Sequence, residues 1–461
     1  MKQDLRINCE IDLQKFISVV GGHTKFTFNK KATGLCIDTR VIQPGDLFIA
    51  VQGARDGHEF VDLALEMGAS ACVVSRDLNC KDQILVSDTL HAMWAYAGWH
   101  RLQWGKKIVA LSGSNGKTTT KEMIVTLLGD KAFKTPGNWN NFLGVPLTLL
   151  MLEKKHEYGV VEMGINHFGE LLQLCKFTKP NIASLTNVGP AHLQELHDLD
   201  GVAKAKGEIF SQLQQGDIAV LNVDDVRIEK MRGQIRANIL TVSQKKSADV
   251  ELVSKTKKKI GYDLTFMYGS EKISVELPVD GEHNISNYLC AVGIAKAFGI
   301  LAGQVQKNSA NIRQIHMRME EIFLPLNRKI INDCYNANPG SFEAGLQTVS
   351  ESKPKRFLVL MGDMLELGDN SKQIHRDVGK LMCKFGVHHL FTVGELAKEA
   401  AVGAVEGGLS QNQITIIEKK EEAVQKILPY FNAEDILLVK GSRGMRLEEI
   451  VHQLESQLLR K

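Results

Sequence analysis

KIVALSGSNGKTTT, residues 107–120, is an apolar, β-branched run that breaks into a glycine-containing loop; KEMIVTLL, residues 121–128, follows with a helical pattern. Strand, glycine turn and helix in that order make a phosphate cradle. Backbone N–H groups at the helix N-terminus point at anionic oxygens, and the helix dipole adds to them. The spacing, however, is short. The common loop reads G-x-x-x-x-G-K-[ST], but the position five before Gly116 is Leu111, and the first glycine, Gly113, stands three residues before Gly116. In such a loop Lys117 supplies a point charge to the β- and γ-phosphates, and the Thr118 hydroxyl reaches Mg²⁺. Gly113, Ser114, Asn115, Gly116 and Thr119 complete the nucleotide-binding turn.

Outward from the loop, apolar runs recur at YGVVEMG (158–164), NIASLTNV (181–188) and DIAVLNV (217–223), separated by helix-like segments. Buried strands alternating with helices predict a doubly wound parallel sheet. Residues 251–279 alternate apolar and polar positions between turns and predict an antiparallel flap on that sheet, closed by a helix over 284–298. Upstream, DLFIAVQG (46–53) and ACVVSR (71–76) read as strands around a short helix at 60–69, with a further helix at 91–102. Downstream, RFLVLMG (356–362), HHLFTVG (388–394), ITIIEK (414–419) and DILLVKGS (435–442) alternate with helices. In the last helix Leu447, Ile450, Val451, Leu454 and Leu458 form one apolar face. The expectation is an α/β protein of three domains: a small α/β unit over 1–87, a central P-loop-type sheet over 88–315, and a Rossmann-like unit over 316–461.

Composition removes several classes. With 461 residues, 44% hydrophobic, 24% charged and a net charge of +3, the chain is long enough for several cores and too weakly basic to imply a nucleic-acid partner. The basic run Lys255–Lys259 reads as a solvated strand edge or hairpin. Eight scattered cysteines without a C-x-x-C pair fit a reducing compartment rather than a disulfide framework or zinc site. MKQDLRINCE lacks the apolar core of a signal peptide, and no charge-free run is long enough to span a bilayer. A cytoplasmic enzyme acting on small molecules, as a monomer, is expected.

A phosphate loop needs an acid at a neighbouring strand end to hold its metal, and Glu162 ends YGVVE. Three other stretches are dense in polar groups: TPGNWNNFLGVP (135–146), TNVGPAHL (186–193) and VAKAKGEIF (202–210). Read singly they are a turn, a surface histidine and a solvated charged face.

Taken in order, SGSNGKTT, GNWNNFLGVP, VVEMG, NVGPAHL and AKAKGEI resemble the Mur ligase family of ATP-dependent, amide-forming cell-wall enzymes, and IDTRVIQPGDLFIAVQGARDGHEFV (37–61) extends the resemblance to the first block. The short phosphate loop is that family's form. NDCYNANPGS (332–341), GDMLELG (362–368) and VKGSRG (439–444) resemble the branch that adds D-alanyl-D-alanine to UDP-N-acetylmuramoyl-tripeptide. The resemblance implies a function in peptidoglycan synthesis, and so in cell-wall biogenesis, cell shape and cell division. It implies Lys117 and Thr118 at ATP and Mg²⁺, and Glu162 and His192 as metal ligands. Lys206, rather than the nearby Lys204, becomes the carbamylated lysine beside a second Mg²⁺. Asn284 and Asn287 contact adenine; Arg318 and Asp333 contact the γ-phosphate and the ribose. Tyr335, Asn336 and Asn338 lie where dipeptide and nucleotide meet, although Asn338-Pro339 is also a good helix start. Asp38, Thr39, Arg40, Asn140 and Asn141 face the UDP-sugar. A site divided between domains implies an open form with the C-terminal domain swung away. The rival readings are a polyglutamate-adding relative and a nucleotide-binding module without ligase activity.

Overall fold

The computed structural model describes residues 5–459 apart from Asn29, Ala54, Ala191, His192 and Glu366. It contains three sheets, one in each of three α/β domains. The first has five strands in sequence order: β1 (Arg6–Asp12), β2 (Lys31–Cys36), β3 (Asp46–Ile49), β4 (Ala71–Val74) and β5 (Gln83–Leu85). The strands β3 and β4 follow the sequence expectation. The antiparallel pair β1–β2 was not foreseen, because RINCEID and KATGLC expose most alternate positions to water and lack a long apolar run.

The central sheet uses β6 (Ile108–Ser112), β7 (Ala132–Lys134), β8 (Tyr158–Glu162), β9 (Ile182–Leu185), β10 (Ile218–Asn222), β11 (Asn238–Ser243), β12 (Val250–Lys257), β13 (Tyr262–Tyr268) and β14 (Glu271–Leu277). Their order is β14-β13-β12-β11-β10-β9-β6-β8-β7. The foreseen flap is β12–β14, which pair antiparallel with each other, while β12 joins β11 in parallel and so extends the main sheet. Its basic run is solvated, as expected, and is held by ion pairs such as Lys258 to Glu276.

The third sheet, in the order β15-β16-β20-β17-β18-β19, comprises β15 (Glu320–Leu324), β16 (Arg328–Asp333), β17 (Arg356–Gly362), β18 (His389–Val393), β19 (Ile414–Ile417) and β20 (Asp435–Lys440).

Strand periodicity explains why both faces of these sheets are covered. Successive side chains leave a strand on opposite faces. Along β6, Ile108 and Ala110 enter one core while Val109 and Leu111 enter the other, beneath the helices Lys117–Leu128 and Glu282–Phe298. Along β17, Phe357, Val359 and Met361 face one core and Leu358 and Leu360 the opposite one. The helix Thr89–Trp104 buries Ala92, Met93, Trp94 and Ala97 in a core shared by the first and central sheets. At roughly 25 cal/mol per Å² of apolar surface removed from water, a shared core of this extent fixes the two domains as one platform.

Candidate active site

Ligands of open parallel sheets bind at the carboxyl ends of the strands, near the point where strand order reverses. Here β6 lies between β9 and β8, which follow it in sequence and flank it on opposite sides. Register places Leu111 opposite Glu162 and Ser112 opposite Leu185. The phosphate loop, the acid and the TNVGP loop therefore emerge side by side.

The loop is shaped by its two glycines. Gly113 has φ 143° and Gly116 φ 80°, and left-handed backbone costs other residues about 1–2 kcal/mol. Space forbids a side chain as well: an added Cβ would lie 1.9 Å from Thr186 Oγ1 at Gly113 and 2.3 Å from Asn287 Oδ1 at Gly116. The backbone N–H of Ser114 donates to the Asn187 carbonyl at 3.0 Å, and that of Asn115 to Asn187 Oδ1 at 2.9 Å. The Thr186 hydroxyl donates to the Asn115 carbonyl at 2.5 Å. Lys117 Nζ folds back on the Gly113 carbonyl at 2.7 Å. Desolvation pushes its ammonium below the usual lysine range, opposed by Glu162 and assisted by Arg318.

Glu162 is 1% exposed. Asn140 Nδ2 donates to its Oε1 at 2.8 Å, and the Thr118 hydroxyl donates to the same atom at 3.4 Å. Its Oε2 has no hydrogen-bond partner among the described residues. Lys121 Nζ forms an ion pair with Oε2 at 3.4 Å but gives its hydrogen bonds to the carbonyls of Thr135 (3.0 Å) and Gly137 (2.9 Å). A buried anionic oxygen left unbonded beside a hydroxyl and an amide is a hard, oxygen-rich donor set, and it suits Mg²⁺. Neither the Asn140 contact nor the buried Lys121 was read from sequence. The sequence expectation puts Asn140 at the sugar end and Lys121 simply at the start of the helical stretch 121–128.

A cavity of about 310 Å³ opens between the central and C-terminal domains. Asn115, Gly116, Thr119, Asn284 and Asn287 line it from one side, Arg318 and Asp333 from the other. All seven were singled out from sequence for a nucleotide. Asn287 Nδ2 donates to Asn284 Oδ1 at 2.9 Å, and Asn284 Nδ2 to the Asp280 carbonyl at 2.6 Å, which fixes both amides. Asn187, His283 and Lys440 also line the cavity and were missed as site residues, although Asn187 and Lys440 lie inside the TNVGPAHL and VKGSRG strings.

The expected open arrangement is not the one observed. Arg318 Nη2 crosses from the C-terminal domain to donate to Thr118 Oγ1 at 3.2 Å, and Asn338 Nδ2 donates to Asn115 Oδ1 at 2.7 Å. Polar side chains at both rims satisfy one another across the gap, so the two domains meet. The Arg318 guanidinium stacks on the Tyr335 ring at 4.1 Å. Asn338 also caps the helix Pro339–Glu351, accepting from Ser341 N at 2.8 Å in a capping box, so the helix-start reading of Asn-Pro holds. The Asn336 side chain is exposed, and its carbonyl accepts from Lys440 Nζ at 3.2 Å.

Lys206 is 1% exposed and has no hydrogen bond or ion pair among the described residues. Desolvation, then the nearby Lys117 charge, hold its ammonium well below the usual lysine range. Lys204 instead reaches over the Phe168 ring. His192 lies outside the described residues. Asp38, Thr39 and Arg40 form a short turn after β2, in which Asp38 accepts from Arg40 N at 3.0 Å. Asn141 Oδ1 accepts from Leu143 N at 3.1 Å and Gly144 N at 2.9 Å, folding the loop before the helix Gly144–Leu150.

Three family models match the chain: the Mur ligase family catalytic domain over residues 31–98, the Mur ligase middle domain over 111–295, and the Mur ligase glutamate ligase domain over 317–443. The chain is 35% identical over 424 residues to the UDP-N-acetylmuramoyl-tripeptide–D-alanyl-D-alanine ligase of Escherichia coli K12, covering 91% of this chain and 92% of the relative. A crystal structure of MurF from Acinetobacter baumannii superposes with a TM-score of 0.89 at 29% identity, covering 98% of this chain and all of that one. MurF from Thermotoga maritima in complex with ADP gives 0.81 at 27% identity, covering 92% and 97%. The chain belongs to the Mur ligase family.

Proposed function

We infer that this chain is an ATP-dependent amide ligase that joins D-alanyl-D-alanine to UDP-N-acetylmuramoyl-tripeptide, giving the UDP-muramoyl-pentapeptide precursor of peptidoglycan. The observation that carries this reading is the single cavity lined by the phosphate loop and by Arg318 and Asp333 of the facing domain, with Tyr335–Asn338 at its rim. A bare nucleotide-binding module has no use for that second wall.

The chemistry follows from charge. A carboxylate is a poor electrophile, so one of its oxygens first attacks the γ-phosphorus of ATP, releasing ADP and forming an acyl phosphate. The dipeptide amine then attacks the carbonyl carbon, and the tetrahedral intermediate expels phosphate and loses a proton. The protein mainly positions groups and offsets charge. Lys117 and Arg318 balance the negative charge of the transferred phosphoryl group; Arg318 Nε has no partner among the described residues and is free to donate to it. Arg318 reaches Thr118 only across the domain junction, so closure assembles the cation set and excludes water that would hydrolyse the acyl phosphate. Thr118, Glu162 and His192 would hold Mg²⁺, which supplies Lewis-acid stabilisation of phosphate charge when bound.

Finer assignments complete the proposal. Lys206, buried without a partner among the described residues, carries a carbamate: its amine adds CO₂ and loses a proton, becoming an anion for a second Mg²⁺. Asn284 and Asn287 hold adenine and Asp333 the ribose. Tyr335, Asn336 and Asn338 receive the dipeptide, and the N-terminus of the helix Pro339–Glu351 attracts a carboxylate. Asp38, Thr39, Arg40 and Asn141 contact the UDP-sugar bound by domain 1–87, while 88–315 and 316–461 supply the nucleotide and acceptor sites. Asn140 acts at Glu162. One chain completes the cavity, consistent with a monomer, and eight free thiols fit the cytoplasm.

Phosphate release measured with ATP, Mg²⁺, UDP-muramoyl-tripeptide and D-alanyl-D-alanine should require all four. Release that continues without the dipeptide would sink the ligase assignment.

A further inference from the structure

Lys440 is 1% exposed, yet its residue lines the nucleotide cavity. It ends β20, and Asp333 ends the neighbouring parallel strand β16 as its register partner. The ammonium donates to Asp333 Oδ2 at 2.5 Å and to the Asn336 carbonyl at 3.2 Å. The other Asp333 oxygen accepts from Met319 N at 3.2 Å. An ionised carboxylate has about four acceptor positions. With two filled by protein donors, the rest remain for a ligand with two adjacent hydroxyls.

We propose that Lys440 is a positioning residue with two outputs. It fixes the Asp333 carboxylate toward the nucleotide sugar, and it ties the Tyr335–Asn338 loop to that carboxylate through the Asn336 carbonyl. One ammonium thereby registers the sugar of the bound nucleotide and the loop that receives the amine. This rests on the reading of Asp333 as the ribose contact. A lysine serving only to fill the core would touch one output or neither.

The test compares ATP with 2′-deoxy-ATP and 3′-deoxy-ATP in phosphate release, and measures KM for D-alanyl-D-alanine, in wild type, Asp333→Asn, Lys440→Met and the double variant. Thermal melting of each establishes folding. Combining the two substitutions removes both charges together, so the double variant stays informative if a single one fails to fold. The expected result is that Lys440→Met loses most of the preference for ATP, roughly tenfold, and raises the dipeptide KM severalfold. Asp333→Asn loses the same preference with a smaller change in dipeptide KM. The double variant shows no further loss of preference but keeps the raised dipeptide KM. If Asp333→Asn retains the preference, the ribose assignment itself falls. If Asp333→Asn loses it while folded Lys440→Met keeps it, or if the double variant has the wild-type dipeptide KM, the role of Lys440 is overturned.

Discussion

Glu162 belongs to the central domain and Asp333 to the C-terminal one, and each ends a parallel strand beside a buried lysine. They differ in how far the lysine satisfies them. Lys440 sits 2.5 Å from Asp333 Oδ2 in a direct hydrogen bond. Lys121 stays 3.4 Å from Glu162 Oε2 and spends its hydrogens on two loop carbonyls, leaving that oxygen unbonded. A carboxylate with one direct hydrogen bond on each oxygen is a rigid acceptor, and its remaining positions suit neutral hydroxyls. One with an unbonded oxygen, its charge balanced only at a distance, is open to a cation. On the proposed reading, buried acids at equivalent strand ends take different ligands because of where one ammonium is placed.

The largest expected effect comes from Glu162→Gln. Losing a metal ligand forfeits several kcal/mol of charge stabilisation, so phosphate release should fall about a thousandfold, while ADP binding without Mg²⁺, followed by equilibrium dialysis, stays within about threefold. An equal loss of Mg²⁺-free binding would make Glu162 an ordinary nucleotide contact and erase the distinction.

Lys206 sharpens the comparison as a buried lysine with no acid paired to it among the described residues. Lys206→Ala should lose about a hundredfold in rate, the equivalent of roughly 3 kcal/mol, and regain part of it with added short carboxylic acids. Full activity in that variant would show that the anion is supplied elsewhere.

Asp333→Asn should raise the KM for ATP about tenfold, as expected for a lost hydrogen bond to a charged group, with kcat less affected. It also leaves Lys440 buried without a counter-charge, which costs about 3 kcal/mol or more and should appear in calorimetry. Glu162→Gln should melt closer to wild type, because Lys121 keeps its two carbonyl acceptors. Equal melting losses would mean that the two lysines are held alike.

The smallest effect is at the rim. Asn338→Ser keeps a helix-capping hydroxyl but cannot reach Asn115, and should cost about 1 kcal/mol, or fivefold in kcat/KM. Asn338→Ala should lose about 1 kcal/mol of stability besides. Identical melting of the two variants would remove the capping role.

Much of this was legible in the sequence, for physical reasons that apply to particular residues. Gly113 and Gly116 announced the loop because backbone that approaches anions and turns left-handed admits little else. Apolar runs such as IVALS and FLVLM announced central strands covered on both faces. Glu162 was readable because it ends one of those runs. What stayed hidden depends on register between distant segments. Lys440 lies 107 residues from Asp333, and the two become partners only once β16 and β20 pair. The Asn140–Glu162 contact depends on how an irregular loop folds back, which no periodicity encodes. Domain closure was misjudged for the same reason: Asn115 and Asn338 stand 223 residues apart, and nothing local to either foretells that they satisfy each other.

The most direct test of carboxylate activation follows an oxygen atom. With the terminal carboxylate of the tripeptide labelled with ¹⁸O, attack on the γ-phosphorus transfers one label into the acyl phosphate, and amine attack then releases it in phosphate. Mass spectrometry of the phosphate should find one ¹⁸O per molecule released alongside amide product. Unlabelled phosphate accompanying amide formation would show that the carboxylate is never phosphorylated and would contradict the assignment.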